Sequence, residues 1–91
     1  MKILVLSDTH GYIDERILHY AKIADEVWHA GDIGNIDVIN QISKVSKLKI
    51  VYGNIDSSKL RIGLEKFIFF KVEKFNVLIT HIYNKKLFNE I

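Results

Sequence analysis

The stretch ILVLSDTHG, residues 3–11, joins an apolar run to a carboxylate, an imidazole and a glycine. A near-continuous apolar run is typical of a strand that is covered on both faces, as in a parallel sheet. Asp8 and His10 follow this run two residues apart, directly before Gly11. This ending predicts a functional site at the carboxyl end of a buried strand.

The composition is that of one soluble globular domain, with 48% hydrophobic and 26% charged residues in a chain of 91. The net charge is only +2, and the lysine clusters at 44–49 and 85–86 are interpreted as solvated surface. Nucleic acid is therefore not expected as a partner, except as a phosphodiester substrate. The absence of cysteine excludes disulfides and thiolate metal sites. The apolar run before Asp8 is too short for a signal peptide or a membrane span, so we expect a cytoplasmic protein without a membrane partner.

The hydrophobic periodicity predicts a βαβαβ unit followed by two strands in an antiparallel hairpin. Strand–helix–strand units imply a parallel sheet with right-handed crossovers. The first helix is expected to begin at Asp14 as its N-cap. Residues 57–64 are ambiguous, and the last stretch, THIYNKKLFNEI, shows no clear terminal element. The predicted elements are strands at 2–7, 26–30, 49–53, 67–73 and 76–81, a helix at 36–46, and a turn at 74–76.

Polar side chains follow four of the predicted strands, at the end where parallel sheets bind ligands. We expect these side chains to converge at one edge: Asp8, His10, Asp32, Asn54 and His81. Each has an ordinary alternative, since Asp8 could cap a helix and Asn54 could serve a turn. His19, in the middle of a predicted helix, is assigned to the surface. It is the coincidence at several strand ends that favours a shared site.

Carboxylate, imidazole and amide ligands without sulfur suit divalent ions such as Mn²⁺, Fe²⁺, Zn²⁺, Co²⁺ or Mg²⁺. Two such ions about 3.5–4 Å apart form the two-metal site of phosphatases and nucleases, in which a bound water becomes the nucleophile. One carboxylate must bridge the ions, and Asp32, on the middle strand, is the natural candidate. Gly11 would let the backbone turn tightly beside them.

The motifs SDTHG, VWHAGDIG, VYGNID and VLITHI together resemble the calcineurin-like metallophosphoesterases, in particular their small bacterial and archaeal phosphodiesterase branch. The resemblance implies the N-terminal part of an α/β/β/α sandwich. It implies phosphodiester hydrolysis by a hydroxide bound to two metal ions, Mn²⁺ first, with Fe²⁺, Zn²⁺, Co²⁺, Mg²⁺ or Ni²⁺ as alternatives. Asp8, His10 and Asp32 would hold one ion and Asp32, Asn54 and His81 the other. Asp32 and Asn54 would be catalytic, Asn54 by also touching a substrate phosphate oxygen.

The chain departs from the family pattern in two places. The final G-H-x-H motif is missing, so residues 1–91 are expected to be a single, C-terminally truncated domain. Ile55 stands where many larger members carry a histidine that protonates the leaving group. A catalytically inactive remnant or protein-interaction module is therefore the alternative function. A nucleotide-binding domain is disfavoured, because the glycine-rich phosphate-binding motifs are absent.

Two further expectations concern His29 and the hairpin. His29 could orient a metal ligand through a hydrogen bond, or it could be a buried structural residue. The strand FIFFKVE, residues 67–73, is largely apolar on both faces, and at least one face needs a cover. Self-association and marginal stability of the isolated chain are therefore expected.

Overall fold

The structure is a computed structural model that describes residues 1–90 of the chain. A parallel three-stranded sheet is followed by an antiparallel two-stranded sheet, which confirms the predicted fold class. None of the helices in this described part has the length and apolarity needed to span a bilayer. The elements in chain order are β1 (Ile3–Leu6), α1 (Glu15–Ile23), β2 (Glu26–His29), α2 (Ile36–Ser43), β3 (Lys47–Ile50), α3 (Ser58–Arg61), β4 (Phe67–Val72), β5 (Phe75–Thr80) and α4 (Lys85–Glu90).

The parallel sheet has the order β1-β2-β3, so β2 is the middle strand. The loop that follows β2 therefore lies between the loops that follow β1 and β3. Val27 on β2 is completely buried and belongs to the main core with residues of both long helices. The helices α1 and α2 cover the face that Val27 presents, which explains why this face is apolar. The expected cover on both faces of β1 is incomplete, because Val5 is 66% exposed. The core residues are Ala21, Val27, Ile33, Val38, Ile42 and Leu60.

The helices begin where short polar side chains cap them. The side chain of Asp14 accepts a hydrogen bond from the N–H of Ile17 at 2.9 Å, which confirms the predicted N-cap of α1. Asn35 caps α2 and Ser57 caps α3 in the same way, at 3.0 and 3.1 Å. These caps satisfy N–H groups that the first helical turn leaves without partners, and they fix where each strand-to-helix loop ends.

The hairpin packs on the other face of the parallel sheet. The ring of Phe70 meets Trp28 edge-on at 5.1 Å, and the ammonium of Lys49 lies 4.9 Å from the Phe70 centroid. Lys49 also forms an ion pair with Glu26, a carboxylate that is only 6% exposed. The Lys49 bond is the main cause of a lowered Glu26 pKa, and it outweighs the opposing effect of burial.

Several predicted boundaries were wrong. The hairpin turn is the pair Glu73-Lys74 rather than 74–76, because Phe75 pairs with Val72 and so belongs to β5. β3 runs Lys47–Ile50 rather than 49–53, since the chain at Val51 already bridges to Glu65. The predicted helix at 36–46 ends at Ser43.

Two short helices were not predicted. The ambiguous segment contains α3, and the terminal stretch forms α4 (Lys85–Glu90). The Asn84 side chain accepts a hydrogen bond from the N–H of Leu87 at 2.7 Å, and Leu87 is buried. The terminal stretch, in which the sequence showed no clear element, therefore contains a short helix that Asn84 caps and Leu87 anchors by its burial.

Candidate metal centre

The backbone at the ends of β1 and β2 adopts the left-handed conformation, which is uncommon for residues other than glycine. Asp8, His10 and Asp32 have φ values of 57°, 50° and 58°. Between residues 1 and 90 the other non-glycine residue of this kind is Glu73, in the hairpin turn. Such strained conformations cost about 1–3 kcal/mol each and concentrate at functional sites. Here the strain coincides with three of the predicted metal ligands.

Backbone hydrogen bonds between the two loops hold this conformation in place. The N–H of Asp8 donates to the carbonyl of Gly31 at 2.9 Å, and that of His10 to the carbonyl of Asp32 at 3.1 Å. The N–H of Gly11 continues the series to Ile33 at 2.7 Å. The pairing of β1 with β2 thus continues beyond the strands, and it fixes the side chains of both loops relative to each other.

The side chains of Asp8, His10, Asp32 and His81 come together at this edge. His81 Nε2 lies 3.2 Å from Asp32 Oδ2, and His10 Nε2 lies 3.8 Å from the same oxygen and 3.7 Å from Asp8 Oδ1. One potential ligand atom from each of Asp8, Asp32 and His81 lies within 4.8 Å of the others. Asp32 is buried at the centre, while Asp8 and His10 are open to solvent.

The surroundings of Asp8 favour its charged form. The hydroxyl of Ser7 donates a hydrogen bond to this carboxylate and is the largest cause of its lowered pKa. Desolvation opposes this effect, and the neighbouring His81 and His10 make smaller contributions that lower the pKa further. The Asp8 carboxylate is therefore ionised near neutral pH and can bind a cation.

Hydrogen bonds orient the two central ligand candidates. His81 Nδ1 lies 3.0 Å from the carbonyl oxygen of Ala30, which can only accept, so Nδ1 carries the proton and Nε2 faces Asp32. A carbonyl partner of this kind is typical of metal-bound histidines. Asp32 Oδ1 accepts the N–H of Ile55 at 3.1 Å, which leaves Oδ2 facing the imidazoles of His10 and His81.

Asp56 holds the loops after β2 and β3 together, a role that the sequence interpretation missed. This carboxylate is buried and accepts N–H bonds from Gly53, Ile33 and Gly34 at 2.8, 3.2 and 3.0 Å. Burial alone would raise the Asp56 pKa, but the backbone donors outweigh it and lower the pKa below its ordinary value. The signal in the sequence was an aspartate three residues after Gly53.

Gly53 is required by the close approach of the two loops. A Cβ atom on Gly53 would overlap the carboxylate and the backbone nitrogen of Asp32. Gly31 is similarly confined, because its Cβ would lie 2.9 Å from both Gly53 N and His81 Cβ. The glycines of the G-D and G-N motifs therefore let three ligand-bearing segments meet at van der Waals distance.

Asn54 lies on the loop after β3 and lines a cavity of about 260 Å³ that also has His81 in its wall. The bond from Ile55 N–H to Asp32 holds this loop against the cluster. The structure therefore places Asn54 in the same cavity wall as the His81 imidazole. Ile55, where larger family members carry a histidine, is 47% exposed and has no group that could transfer a proton.

His29 is completely buried and has a lowered pKa, mainly because of that burial. Its Nδ1 accepts the N–H of Gly31 at 3.1 Å, so Nε2 carries the proton and faces the hydroxyl of Thr9 at 3.0 Å. Thr9 in turn donates to the carbonyl of Ile33 at 2.9 Å. Of the two alternatives for His29, the structure favours the buried structural residue, which ties the loops that carry the ligand candidates.

The donor set fits a divalent cation. Two carboxylates, with imidazole nitrogens beside them, are the ligand types that Mn²⁺, Fe²⁺, Zn²⁺ and Co²⁺ accept. A cation would also offset the repulsion between Asp8 and Asp32, whose oxygens belong to the 4.8 Å cluster. Geometry, backbone strain and ligand chemistry therefore point to the same edge of the sheet.

Comparison with known structures shows the same fold in several proteins. Wild-type Vps29 from Entamoeba histolytica, solved in complex with Zn²⁺, aligns with a TM-score of 0.71 at 18% identity, over 88% of this chain and 47% of that one. Vps29 from Chaetomium thermophilum aligns with a TM-score of 0.69 at 17% identity, over 84% and 43%. A conserved uncharacterised protein from Streptococcus pneumoniae TIGR4, described as a predicted phosphoesterase, aligns with a TM-score of 0.60 at 25% identity, over 87% and 44%.

The chain thus spans less than half the length of these structures. Comparison with curated proteins finds no significant match. A family model for the calcineurin-like phosphoesterase superfamily domain matches residues 1–90, which include every ligand candidate described above. The chain belongs to the calcineurin-like phosphoesterase superfamily.

Proposed function

We propose that this chain carries the metal site of a phosphodiesterase, with Asp8, His10, Asp32, Asn54 and His81 as ligands. The observation that carries the proposal is the cluster of Asp8, Asp32 and His81, whose ligand atoms lie within 4.8 Å of one another. Family membership supports metal-dependent phosphoester chemistry at this edge. Mn²⁺ is the ion we expect first, and two ions are proposed because Asp32 faces histidines from two different segments.

In this proposal Asp8, His10 and Asp32 would hold one ion, and Asp32, Asn54 and His81 would hold the other. When bound, the ions supply Lewis-acid activation of water and neutralise charge on the phosphate. The protein keeps the ligands in position before substrate arrives, since Ile55 N–H holds Asp32 and the Ala30 carbonyl holds His81.

Asn54 and Ile55 bear on how the site would bind a phosphate group and release a leaving group. The amide of Asn54 can donate a hydrogen bond to a phosphate oxygen from the wall of the adjoining cavity. Ile55 cannot protonate a leaving group, so the site favours phosphodiesters whose leaving group departs without help, such as aryl esters. We therefore expect hydrolysis to depend steeply on the leaving group.

Hydrolysis of bis-p-nitrophenyl phosphate with added Mn²⁺ tests the proposal. We expect a metal-dependent rate that disappears in Asp32→Ala and persists in Asp37→Ala. Asp37 is a suitable control because it is exposed at the start of α2 and outside the cluster. Equal rates for wild type and Asp32→Ala would contradict the assignment of Asp32.

A catalytically inactive interaction module with the same fold is the second candidate. The similarity to two Vps29 structures and the isoleucine at position 55 favour it. In this case the folded chain would bind Mn²⁺ but would not hydrolyse even an activated diester. Calorimetric binding of Mn²⁺ that is lost in Asp32→Asn, without hydrolysis of the diester by the wild type, would support the interaction module over the enzyme.

A further inference from the structure

The cavity beside the metal centre has two cationic side chains in its wall. Arg61 and Lys66 line it together with Asn54 and His81. Arg61 and Lys66 thus share a cavity wall with His81, whose Nε2 faces the carboxylate of Asp32. A volume of about 260 Å³ is below the roughly 300–1,000 Å³ of pockets for drug-sized ligands, so the cavity suits a small polar group.

Arg61 helps to build this wall, and its Nε and one Nη donate to backbone carbonyls. Its Nε donates to the carbonyl of Asp56 at 2.8 Å, and one Nη donates to the carbonyls of Gly53 and Asn54 at 3.3 and 3.2 Å. The guanidinium also stacks over Tyr52, 4.6 Å from the ring centroid. Arg61 therefore fixes the loop that carries Asn54, and its positive charge is balanced by carbonyl dipoles rather than by a carboxylate.

Lys66 differs from Arg61 because its backbone is anchored while its side chain is free to bind. The preceding residue, Glu65, bridges to Val51, and its carbonyl accepts the N–H of Tyr52 at 3.1 Å. Lys66 itself is exposed, and among the described residues its ammonium has no hydrogen-bond or ion-pair partner. The fold thus places an unpaired cation in the wall that Asn54 and His81 share.

We propose that Lys66 binds a second phosphate group of the substrate, so that the preferred substrate is a phosphodiester that carries another phosphate on the same molecule. The inference rests on the proposed function, because it assumes that the scissile phosphate lies at the metal centre. The ammonium of a lysine is a compact point charge with three donors, which suits a terminal phosphate without demanding one orientation.

Binding of inorganic phosphate to the metal-free protein tests the recognition step without catalysis. In a ¹H–¹⁵N NMR titration with inorganic phosphate, we expect chemical-shift changes of the amides at residues 53–54 and 66. The ionic strength is kept constant, and a titration with chloride serves as the reference. Lys66→Met should weaken this binding about five- to tenfold, the value of one charge-assisted contact at an exposed site. Lys71→Met, which removes an exposed lysine on the hairpin, should leave it unchanged. Shifts confined to other residues, or equal affinities in all three proteins, would overturn the inference.

Kinetics with two p-nitrophenyl esters of thymidine 5′-phosphate, with and without a 3′-phosphate, test the substrate class, because both release the same aryl leaving group. The ester with the 3′-phosphate should have the lower KM, and this difference should shrink about five- to tenfold in Lys66→Met and be retained in Lys71→Met. Hydrolysis of both esters with the same KM ratio in every variant would overturn the inference and leave the proposed function standing. Phosphate binding through Lys66 without any hydrolysis would support the cavity assignment and count against the phosphodiesterase.

Discussion

Replacement of Asp56 by asparagine tests whether this carboxylate holds the metal centre together. The substitution keeps the shape of the side chain but removes its charge. One oxygen can still accept from Gly53 and Ile33, whereas the new NH₂ group would face the N–H of Gly34, which now donates to Asp56 at 3.0 Å. The variant therefore loses one bond and weakens two others.

The magnitude follows from the value of hydrogen bonds to charged groups, about 1.5–3 kcal/mol each against about 0.5–1.5 kcal/mol for neutral ones. Relief of the buried charge recovers part of the loss, and we expect the free energy of unfolding to fall by about 2–3 kcal/mol. Urea unfolding at pH 7, followed by circular dichroism, should show a midpoint lower by about 2–3 M for a slope near 1 kcal/mol per M. Asp37→Asn, at an exposed carboxylate bonded to Gln41, should change the stability by less than about 0.5 kcal/mol.

The effect of Asp56→Asn should also depend on pH. Because the pKa of Asp56 is lowered in the folded protein, its contribution is complete above the unfolded value of about 3.9 and is lost as the pH falls through the folded pKa. The stability difference between wild type and variant should therefore be constant near neutral pH and shrink in acid. A difference below about 0.5 kcal/mol at pH 7, or one that grows in acid, would refute the reasoning.

Three further predictions concern other parts of the structure. Gly53→Ala should lower the Mn²⁺ affinity by at least about tenfold in calorimetry, because the added Cβ displaces Asp32. Lys49→Met should destabilise the protein by about 2–3 kcal/mol in urea at pH 7, since it leaves the buried Glu26 carboxylate without its cation. The chain should self-associate at tens of micromolar in light scattering, and Phe69→Gln should reduce this, because Phe69 is 48% exposed on the hairpin face turned away from Trp28.

Two of these predictions have a matched control variant, and each of the three has a contrary result. Gly63→Ala has open space for its Cβ, although its φ of 83° strains an alanine and should lower the stability of the protein. The folded Gly63→Ala variant should keep the Mn²⁺ affinity of the wild type, and an equal loss of affinity at both glycines would contradict a steric effect on the site. Lys47→Met removes an exposed lysine of the same strand, and a comparable destabilisation would contradict the special role of Lys49. A monodisperse monomer of the unaltered chain with a cooperative melt above about 60 °C would refute self-association and marginal stability.

The elements that periodicity controls could be predicted from the sequence. The alternation of apolar strands with amphipathic helices indicated the parallel sheet, and Asp14 indicated the start of α1. The hairpin turn was misplaced by one residue because Phe75 and Asn76 are both compatible with a strand end. Their register is decided by pairing across the hairpin, which the local sequence does not encode.

The part of the candidate site that follows directly after strands could be predicted from the sequence. Asp8, His10, Asp32 and His81 meet because parallel strands deliver their carboxyl ends to one edge. Asp56 escaped notice because its importance lies in backbone donors from two loops, a relationship that depends on the fold. The two cations of the adjoining cavity, Arg61 and Lys66, could not be predicted from the sequence either. The bridge between Val51 and Glu65 brings Lys66 to this cavity, and such a pairing depends on the fold.

The most direct test of the central claim is a calorimetric titration of the metal-free protein with Mn²⁺. Wild type and an Asp37→Asn control should release the same binding heat, whereas Asp32→Asn should lose affinity by more than the roughly 10–100-fold typical of mutations in outer partners of a metal site. Circular dichroism of each protein establishes that it remains folded. The same heat and affinity in wild type and Asp32→Asn would contradict a metal centre built on Asp32.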